Sequence, residues 1–298
     1  MADGAPLAHR AGASAEDRIV FLGHATVLIQ LDGVRLLTDP LLRGRVAHLR
    51  RQVLPVDPGL LAEWAEWAGP KVVLISHLHR DHLDLASLRL LGLDTSLFVP
   101  AGAGELLRRR GFTDVTELSV GEASGMAGAD ALTVTAVEAH HDGRRHPGGV
   151  RAETLGYVIR GGRRTVYFAG DTELFDGMAA LDDATSGSAD RAAGPRTSGA
   201  SRRLDVALVP VAGWGPKLGP GHMDPLQAAR AVGLLAPRVA IPIHWGTLLP
   251  LGGARRHRAL LYDPPRLFAR HVARLAPSVE VRILEPGQET ALTDPSRP

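Results

Sequence analysis

The chain has 298 residues, 45% hydrophobic and 22% charged, which is ordinary for a globular protein and enough for one large domain or two small ones. Its formal net charge is only +2, from 34 Lys and Arg against 32 Asp and Glu, and a surplus this small, spread along the chain, argues against nucleic acid as a partner. There is no cysteine, so disulfides and thiolate ligands are excluded and any metal must be held by His, Asp or Glu.

Residues 1–17 read as a flexible tail without the apolar stretch of a signal peptide. No run of about 18 apolar residues follows, so no transmembrane segment is expected and a cytoplasmic location is the default. From Ile19 to Pro40, IVFLGHATVLIQLDGVRLLTDP reads as short strands with a hairpin turn at Asp32-Gly33. GLLAEWAEWAG predicts a helix closed by Gly69-Pro70, and KVVLIS at 71–76 a buried strand. LDLASLRLLG predicts a second helix, with Asp84 as N-cap and Gly92 as its stop. SLFVP, TDVTELSV, ALTVTAVEA, TLGYVIR and RRTVYFAG read as strands, with the helical GELLRRRG after the first and a Gly161-Gly162 turn between the last two. Residues 182–203 are rich in Ser, Gly and Ala and read as a mobile insertion. LDVALVPVAG and RVAIPIHWG predict strands around a helix, DPLQAARAVGLLA, capped by Asp224 with Pro225 at its first position. PRLFARHVARL predicts a last helix and VEVRILEPG a last strand. Strands and helices alternate throughout, without a linker or a repeat of the solenoid kind, so a single domain over 18–298 of packed sheets with outer helices is expected.

SHLHRDHLD, residues 76–84, follows one of the predicted strands. His77 and His79 lie two apart, so in extended chain both imidazoles can meet one ion. Asp81 and His82 come after the chain turns and can face a second. Imidazole and carboxylate suit zinc, and also iron or manganese. His140 and His141, Asp171 and His244 each follow a predicted strand as well, and ligands at the ends of neighbouring strands converge.

The whole set resembles the metallo-β-lactamase superfamily, whose H-x-H-x-D-H motif is matched by His77, His79, Asp81 and His82. Within it the likeness is to the branch of N-acyl-phosphatidylethanolamine-hydrolysing phospholipase D and the ascorbate-6-phosphate lactonase-like proteins. It is carried by LGHATVLIQLDGVRLLTDP, SHLHRDHLD, AHHDGRR, AGDT, GHMDPLQAA and PIHWGT in that order. The resemblance implies a four-layer αββα sandwich of the α/β class and a site for two divalent metal ions, zinc first, with manganese or iron as alternatives. His77, His79 and His141 would hold one metal, Asp81, His82 and His244 the other, and Asp171 would bridge them. The similar proteins use the last residue of an A-x-H step, which selects His141 and leaves His140 behind it.

The G-H-A-T step places His24 near the metals, and Asp39 is expected to orient a ligand histidine, since bound imidazoles give their second N–H to such a partner. His222, before the Asp224-capped helix, would face the substrate and stabilise charge or protonate the leaving group. Trp214 either walls the pocket or is an ordinary loop tryptophan. Lys217, Arg144 and Arg145 read as solvated surface charge, and His9, His48, His146, His257 and His271 fit no ligand pattern. A two-metal site yields a hydroxide at neutral pH, with Asp81 able to orient it or take its proton. The implied activity is therefore hydrolysis of a phosphodiester, phospholipase D-like, with a lactone such as a sugar-phosphate cyclic ester as the alternative. A di-iron redox protein or a nuclease ranks lower, because no flavin-binding partner domain and no basic stripe accompany the motifs. A small-molecule or lipid-like ester is the expected partner, and a homo-oligomer is compatible with the sequence.

Overall fold

The computed structural model describes residues 16–53, 56–126, 129–162, 164–181, 204–215, 217–253 and 256–292. The expected insertion at 182–203 and residues 1–15 of the expected tail lie outside them. Glu16 and Asp17, assigned to the tail from sequence, are tied to the fold: the Glu16 carbonyl accepts from Gln30, and the Asp17 carboxylate from the Asp32 N–H.

The first sheet begins with a meander, β1 (Arg18–Gly23), β2 (Thr26–Leu31) and β3 (Val34–Thr38). β2 and β3 are joined through Asp32 and Gly33, both at positive φ (47° and 77°), the geometry of a type I′ hairpin turn. Two very short strands, β4 (Arg45–Val46) and β5 (Leu49–Arg51), and helix α1 (Pro58–Glu66) follow. Next come β6 (Lys71–Leu74), α2 (Leu85–Leu91), β7 (Leu97–Pro100), α3 (Gly104–Arg108) and β8 (Val115–Leu118). All but one strand of the second sheet follow: β9 (Ala123–Met126), β10 (Ala129–Glu138), β11 (Leu155–Arg160), β12 (Thr165–Phe168), β13 (Val206–Pro210) and β14 (Val239–Ile243). Helix α4 (Pro225–Leu235) precedes β14; β15 (Leu248–Pro250), α5 (Asp263–Leu275), β16 (Glu280–Val281) and β17 (Glu289–Ala291) close the described chain.

The two main sheets are ordered β17-β1-β2-β3-β6-β7-β8 and β16-β14-β13-β12-β11-β10-β9, and β15-β5-β4 forms a small third one. Side-chain alternation in the first sheet separates two cores. Ile19, Phe21, Val27, Ile29, Leu36, Val72 and Leu74 turn to the second sheet. Val20, Leu22, Leu28, Leu37 and Val73 turn the other way, against Leu60 and Trp64 of α1 and Leu85 and Leu88 of α2. On the far side, Ala228 and Val232 of α4 and Phe268 and Val272 of α5 close over the second sheet. The result is the αββα sandwich.

Local signals fix the helices that flank the site. Asp84 caps α2 by accepting from the Ser87 N–H, and Gly92 ends it at φ 109°. Asp224 and Gln227 form a reciprocal capping box on α4, with Pro225 in its first turn. The strands β3, β6, β7 and β8 run parallel, as do β12, β13, β14 and β16. In each set the chain leaves the sheet at a common edge, which is where the candidate ligands sit. Among the described residues, no helix is long and apolar enough to cross a membrane.

The structure departs from the sequence reading at the C-terminus. Only Glu280–Val281 of VEVRILEPG forms a strand, and the chain then turns so that β17 pairs with β1. Strands of two to four residues such as β4, β5, β9 and β15 carry too few side chains for alternation to show.

Gly170, between β12 and Asp171, has φ +60°, and a Cβ there would lie 2.6 Å from the Ser76 Cβ and 3.0 Å from the Leu155 carbonyl oxygen. Gly170→Ala combines left-handed backbone strain with overpacking and should lower unfolding stability by about 2–4 kcal/mol. Urea denaturation of the chelator-treated protein checks this; a change below about 0.5 kcal/mol would show that the packing around Ser76 is looser than described.

Candidate metal centre

The loop beyond β6 turns at His79, whose carbonyl accepts from the N–H groups of His82 (3.1 Å) and Leu83 (2.8 Å). His77 and His79 therefore do not meet as neighbours on an extended strand. They approach through different ring nitrogens, His77 Nε2 and His79 Nδ1, 3.0 Å apart. His141, from the loop after β10, brings its Nε2 to 2.9 Å from the same His79 Nδ1. His140 is held elsewhere: its Nε2 is 2.8 Å from Glu138, and its ring stacks on Phe175.

A second group forms beside the first. His82 Nε2 and His244 Nε2 are 3.2 Å apart, and Asp171 sets Oδ2 3.1 Å from His82 and Oδ1 3.2 Å from His244. Asp81 Oδ2 lies 3.8 Å from His82 Nε2 and 3.0 Å from His24 Nε2. Ligand-capable atoms of the described residues lie within 4.8 Å of one another in four sets: His77, His79 and His141; His24, Asp81, His82 and His244; His141, Asp171 and His222; and Asp39, His77 and His82. Asp171 thus touches both groups. His24 stands nearer to them than the sequence suggested, inside the second set.

Outer partners fix which nitrogen each histidine turns inward. Ser76 Oγ gives its proton to Asp39 Oδ2 (2.5 Å) and so accepts from His77 Nδ1 at 2.9 Å. His82 Nδ1 donates to Asp39 Oδ2 (2.7 Å), His141 Nδ1 to the Gly221 carbonyl and His244 Nδ1 to the Ala212 carbonyl, both at 2.8 Å. In their neutral forms all four histidines then aim Nε2 lone pairs at the same small space. Asp171 Oδ1 is buried there without a hydrogen-bond partner, since its contact with His244 is out of line for one. Convergent lone pairs and an orphaned carboxylate oxygen repel one another unless a cation stands between them. The nitrogen separations of 2.9–3.2 Å are near the roughly 3.3 Å edge of a tetrahedron built on Zn–N bonds of about 2.0 Å. The residues present fit divalent metal.

The electrostatics express the same demand. Burial opposes charge on His82, but the carboxylates of Asp171 and Asp39 outweigh it and hold this imidazole well above its usual pKa. Burial, then the neighbouring His82, keeps His77 well below it, and burial also lowers His79 and pushes His141 down to about 4. Burial and then His244 push His24 down to about 3. Burial works against ionised Asp81 and Asp171, yet a hydrogen bond from His24 in the first case, and His244 and His82 in the second, hold both well below the carboxylate range. His222 is raised, burial being outweighed by its hydrogen bond to Asp171.

Three residues of the site occupy left-handed backbone that side chains rarely adopt: His24 (φ 57°), Asp39 (φ 36°) and His244 (φ 61°). The surroundings hold them there. The His244 N–H donates to the His24 carbonyl at 2.7 Å, and the His24 N–H to Thr247 Oγ1 at 2.6 Å, so the GHAT and HWGT turns clasp each other.

His222 uses Nδ1 against the Pro220 carbonyl (3.0 Å) and turns Nε2 to within 3.4 Å of Asp171, just ahead of α4. Trp214 lies edge-on to His48 and packs with Leu41, Val46, Leu49 and Leu248 beside the small sheet. Arg144 and Lys217 are exposed, as the sequence suggested, but Arg145 is half-buried, with its guanidinium bonded to backbone carbonyls. Ser76 and Gly221 were missed as partners of the candidate ligands, because a serine beside a motif and a backbone carbonyl carry no pattern of their own. An open cleft of about 480 Å³ beside His141 is lined in part by Val120, Arg151 and Glu153.

Residues 34–245 match the beta-lactamase superfamily domain. The chain belongs to the metallo-β-lactamase superfamily. A metal-dependent hydrolase of Methanopyrus kandleri is 32% identical over 277 residues, covering 91% of this chain and 98% of the relative. An N-acyl-phosphatidylethanolamine-hydrolyzing phospholipase D of Caenorhabditis elegans is 28% identical over 260 residues, 78% of this chain and 64% of that one. Among solved structures, Igni18, a metallo hydrolase of Ignicoccus hospitalis, superposes with a TM-score of 0.64 at 23% identity, over 92% of this chain and 97% of its own, and so shares the fold. In class, this member of the superfamily is a metal-dependent hydrolase.

Asp39 serves Ser76 and His82 together, so Asp39→Asn exchanges one acceptor oxygen for a donor facing donors. Zinc binding should weaken by about 10–100-fold, read by competition with a chromophoric chelator; unchanged affinity would remove Asp39 from the site's support.

Proposed function

We propose that the chain hydrolyses ester bonds, phosphodiesters first, at a site for two divalent ions. One ion would be held by His77, His79 and His141, the other by Asp81, His82 and His244, with Asp171 shared between them. The observation that carries this reading is the buried Asp171 carboxylate, placed between two sets of inward-facing nitrogens with one oxygen left unpartnered. A donor set rich in imidazole favours zinc, with manganese or iron as alternatives. Bound there, such ions supply Lewis acidity to the scissile group and a nucleophilic water at neutral pH.

The chain's own residues do the rest. Asp39, Ser76 and the carbonyls of Gly221 and Ala212 hold the imidazoles in one tautomer, so no reorganisation is needed when substrate arrives. His24 donates to Asp81 and leaves that carboxylate as an acceptor able to orient water or take its proton. Of the histidines around Asp171, His222 and His141 keep part of their side chains open to solvent, and His141 already turns its Nε2 to His79. With Nδ1 of His222 anchored on backbone carbonyls, its Nε2 is the group placed to meet an incoming substrate and steady or protonate the leaving oxygen. Likeness to the nematode phospholipase supports a phosphodiester; a lactone would use the same groups.

The test is hydrolysis of bis(p-nitrophenyl) phosphate by zinc- or manganese-loaded protein. Turnover is expected, with loss to background in Asp171→Ala and His244→Ala. His222→Ala should lower kcat by about 10²–10⁴-fold at unchanged metal content. No turnover from protein shown to carry two ions would overturn the phosphodiester reading and turn the search to lactones. Full activity in both Asp171→Ala and His244→Ala would overturn the site assignment itself.

A further inference from the structure

Arg145 lies four residues beyond His141 in the same loop. A single atom, Nη1, donates to two carbonyls, Leu78 at 3.0 Å and Leu83 at 3.1 Å. Those carbonyls bracket His79, Arg80, Asp81 and His82, the turn that presents three of the candidate ligands. Within the turn, the His79 carbonyl already takes the N–H groups of His82 and Leu83. Tied from outside by one guanidinium, the two ends of the turn are held at a fixed separation.

The placement is electrostatically costly. Burial lowers the Arg145 pKa, nearby Arg80 and Arg110 lower it further, and only Asp84 opposes them. Asp84 is itself engaged by Arg43 at 2.7 Å through both oxygens. Among the described residues Arg145 makes no ion pair, so its hydrogen bonds go to the backbone of the ligand turn. Charge-assisted bonds to carbonyls are worth more than neutral ones, and a fork with a long reach can serve both ends of a turn where a shorter side chain cannot.

We infer that Arg145 is a positioning residue for the metal centre: it locks the 79–82 turn to the loop that delivers His141, so that ligands to both ions are set by one clamp. The inference rests on the two-metal reading above. Arg145 touches neither substrate nor the reacting atoms, and acts through the geometry of His79, Asp81 and His82.

The experiment compares wild type, Arg145→Met and Arg145→Lys in two measurements: zinc affinity by chelator competition, and thermal unfolding of the chelated protein. Methionine keeps the apolar stem and removes every donor, and zinc should bind about 10–100-fold more weakly. Lysine keeps the charge, but its ammonium ends one bond short of Nη1; affinity should fall between the other two. Zinc affinity within twofold of wild type in Arg145→Met overturns the inference, and a lowered unfolding midpoint alongside it would mark the arginine as merely structural. If Arg145→Met does not fold when chelated, Arg145→Lys decides: weaker zinc binding supports the clamp, and wild-type affinity overturns it. Wild-type protein that binds no zinc, manganese or iron would instead sink the metal-site reading, and the clamp with it.

Discussion

The buried carboxylate of Asp39 is the constraint on which the centre depends. It sits just past β3, without solvent exposure, in a left-handed backbone conformation. Oδ1 accepts from the Ser76 N–H, and Oδ2 from Ser76 Oγ and His82 Nδ1. One side chain therefore joins the ends of two parallel strands, fixes the proton on His82 directly and fixes that on His77 through Ser76. A buried charge with this many donors is satisfied, whereas the same charge missing one would be costly. The strain at φ 36° persists because neighbours hold the backbone there: the Asp39 N–H donates to the Leu74 carbonyl at 2.9 Å, and its own carbonyl accepts from Thr26 Oγ1 at 2.8 Å.

What Asp39 begins on one sheet, backbone carbonyls complete on the other. Gly221 and Ala212 accept from His141 and His244, so the second sheet's histidines are oriented by main chain instead of by acids. Negative charge is thereby kept for the centre itself, at Asp81 and Asp171. Asp81 and Asp171 face the cluster itself, while Asp39 stands behind it on the first sheet's side. Metal loading and folding are coupled in such an arrangement, because the groups that repel one another in the empty cluster become mutually supporting around an ion.

The sandwich is what makes the centre possible. Each sheet delivers loops from one edge, and the core between the sheets, filled by residues such as Phe21, Ile29, Tyr157 and Phe168, sets the distance between those edges. The paired turns of His24 and His244 then bridge the two sheets directly above that core. Loops anchored at both sheets' strand ends hold ligands in place more readily than loops free of such support would.

Much of the site is visible in the linear sequence because its parts are local. The H-x-H-x-D-H cluster, the Asp84 and Asp224 caps and the Asp32-Gly33 turn all act over a few residues, where side-chain chemistry and backbone preference suffice. Composition settled that no thiolate takes part, since the chain has no cysteine. The rest needed the tertiary structure. His79 meets His141 across 62 positions and His82 meets His244 across 162, distances that only sheet packing closes. The A-x-H step of the similar proteins points to His141; the two adjacent histidines do not by themselves show which turns inward, and packing turns His140 to Phe175 and His141 to the cluster. Arg145 makes the same point: its sequence context is that of a solvated arginine, and it became a clamp because the fold set two backbone carbonyls of the ligand turn within its reach. Local order is written in neighbours, whereas convergence depends on the whole core, and hydrogen bonds to backbone leave no mark on the residues that receive them.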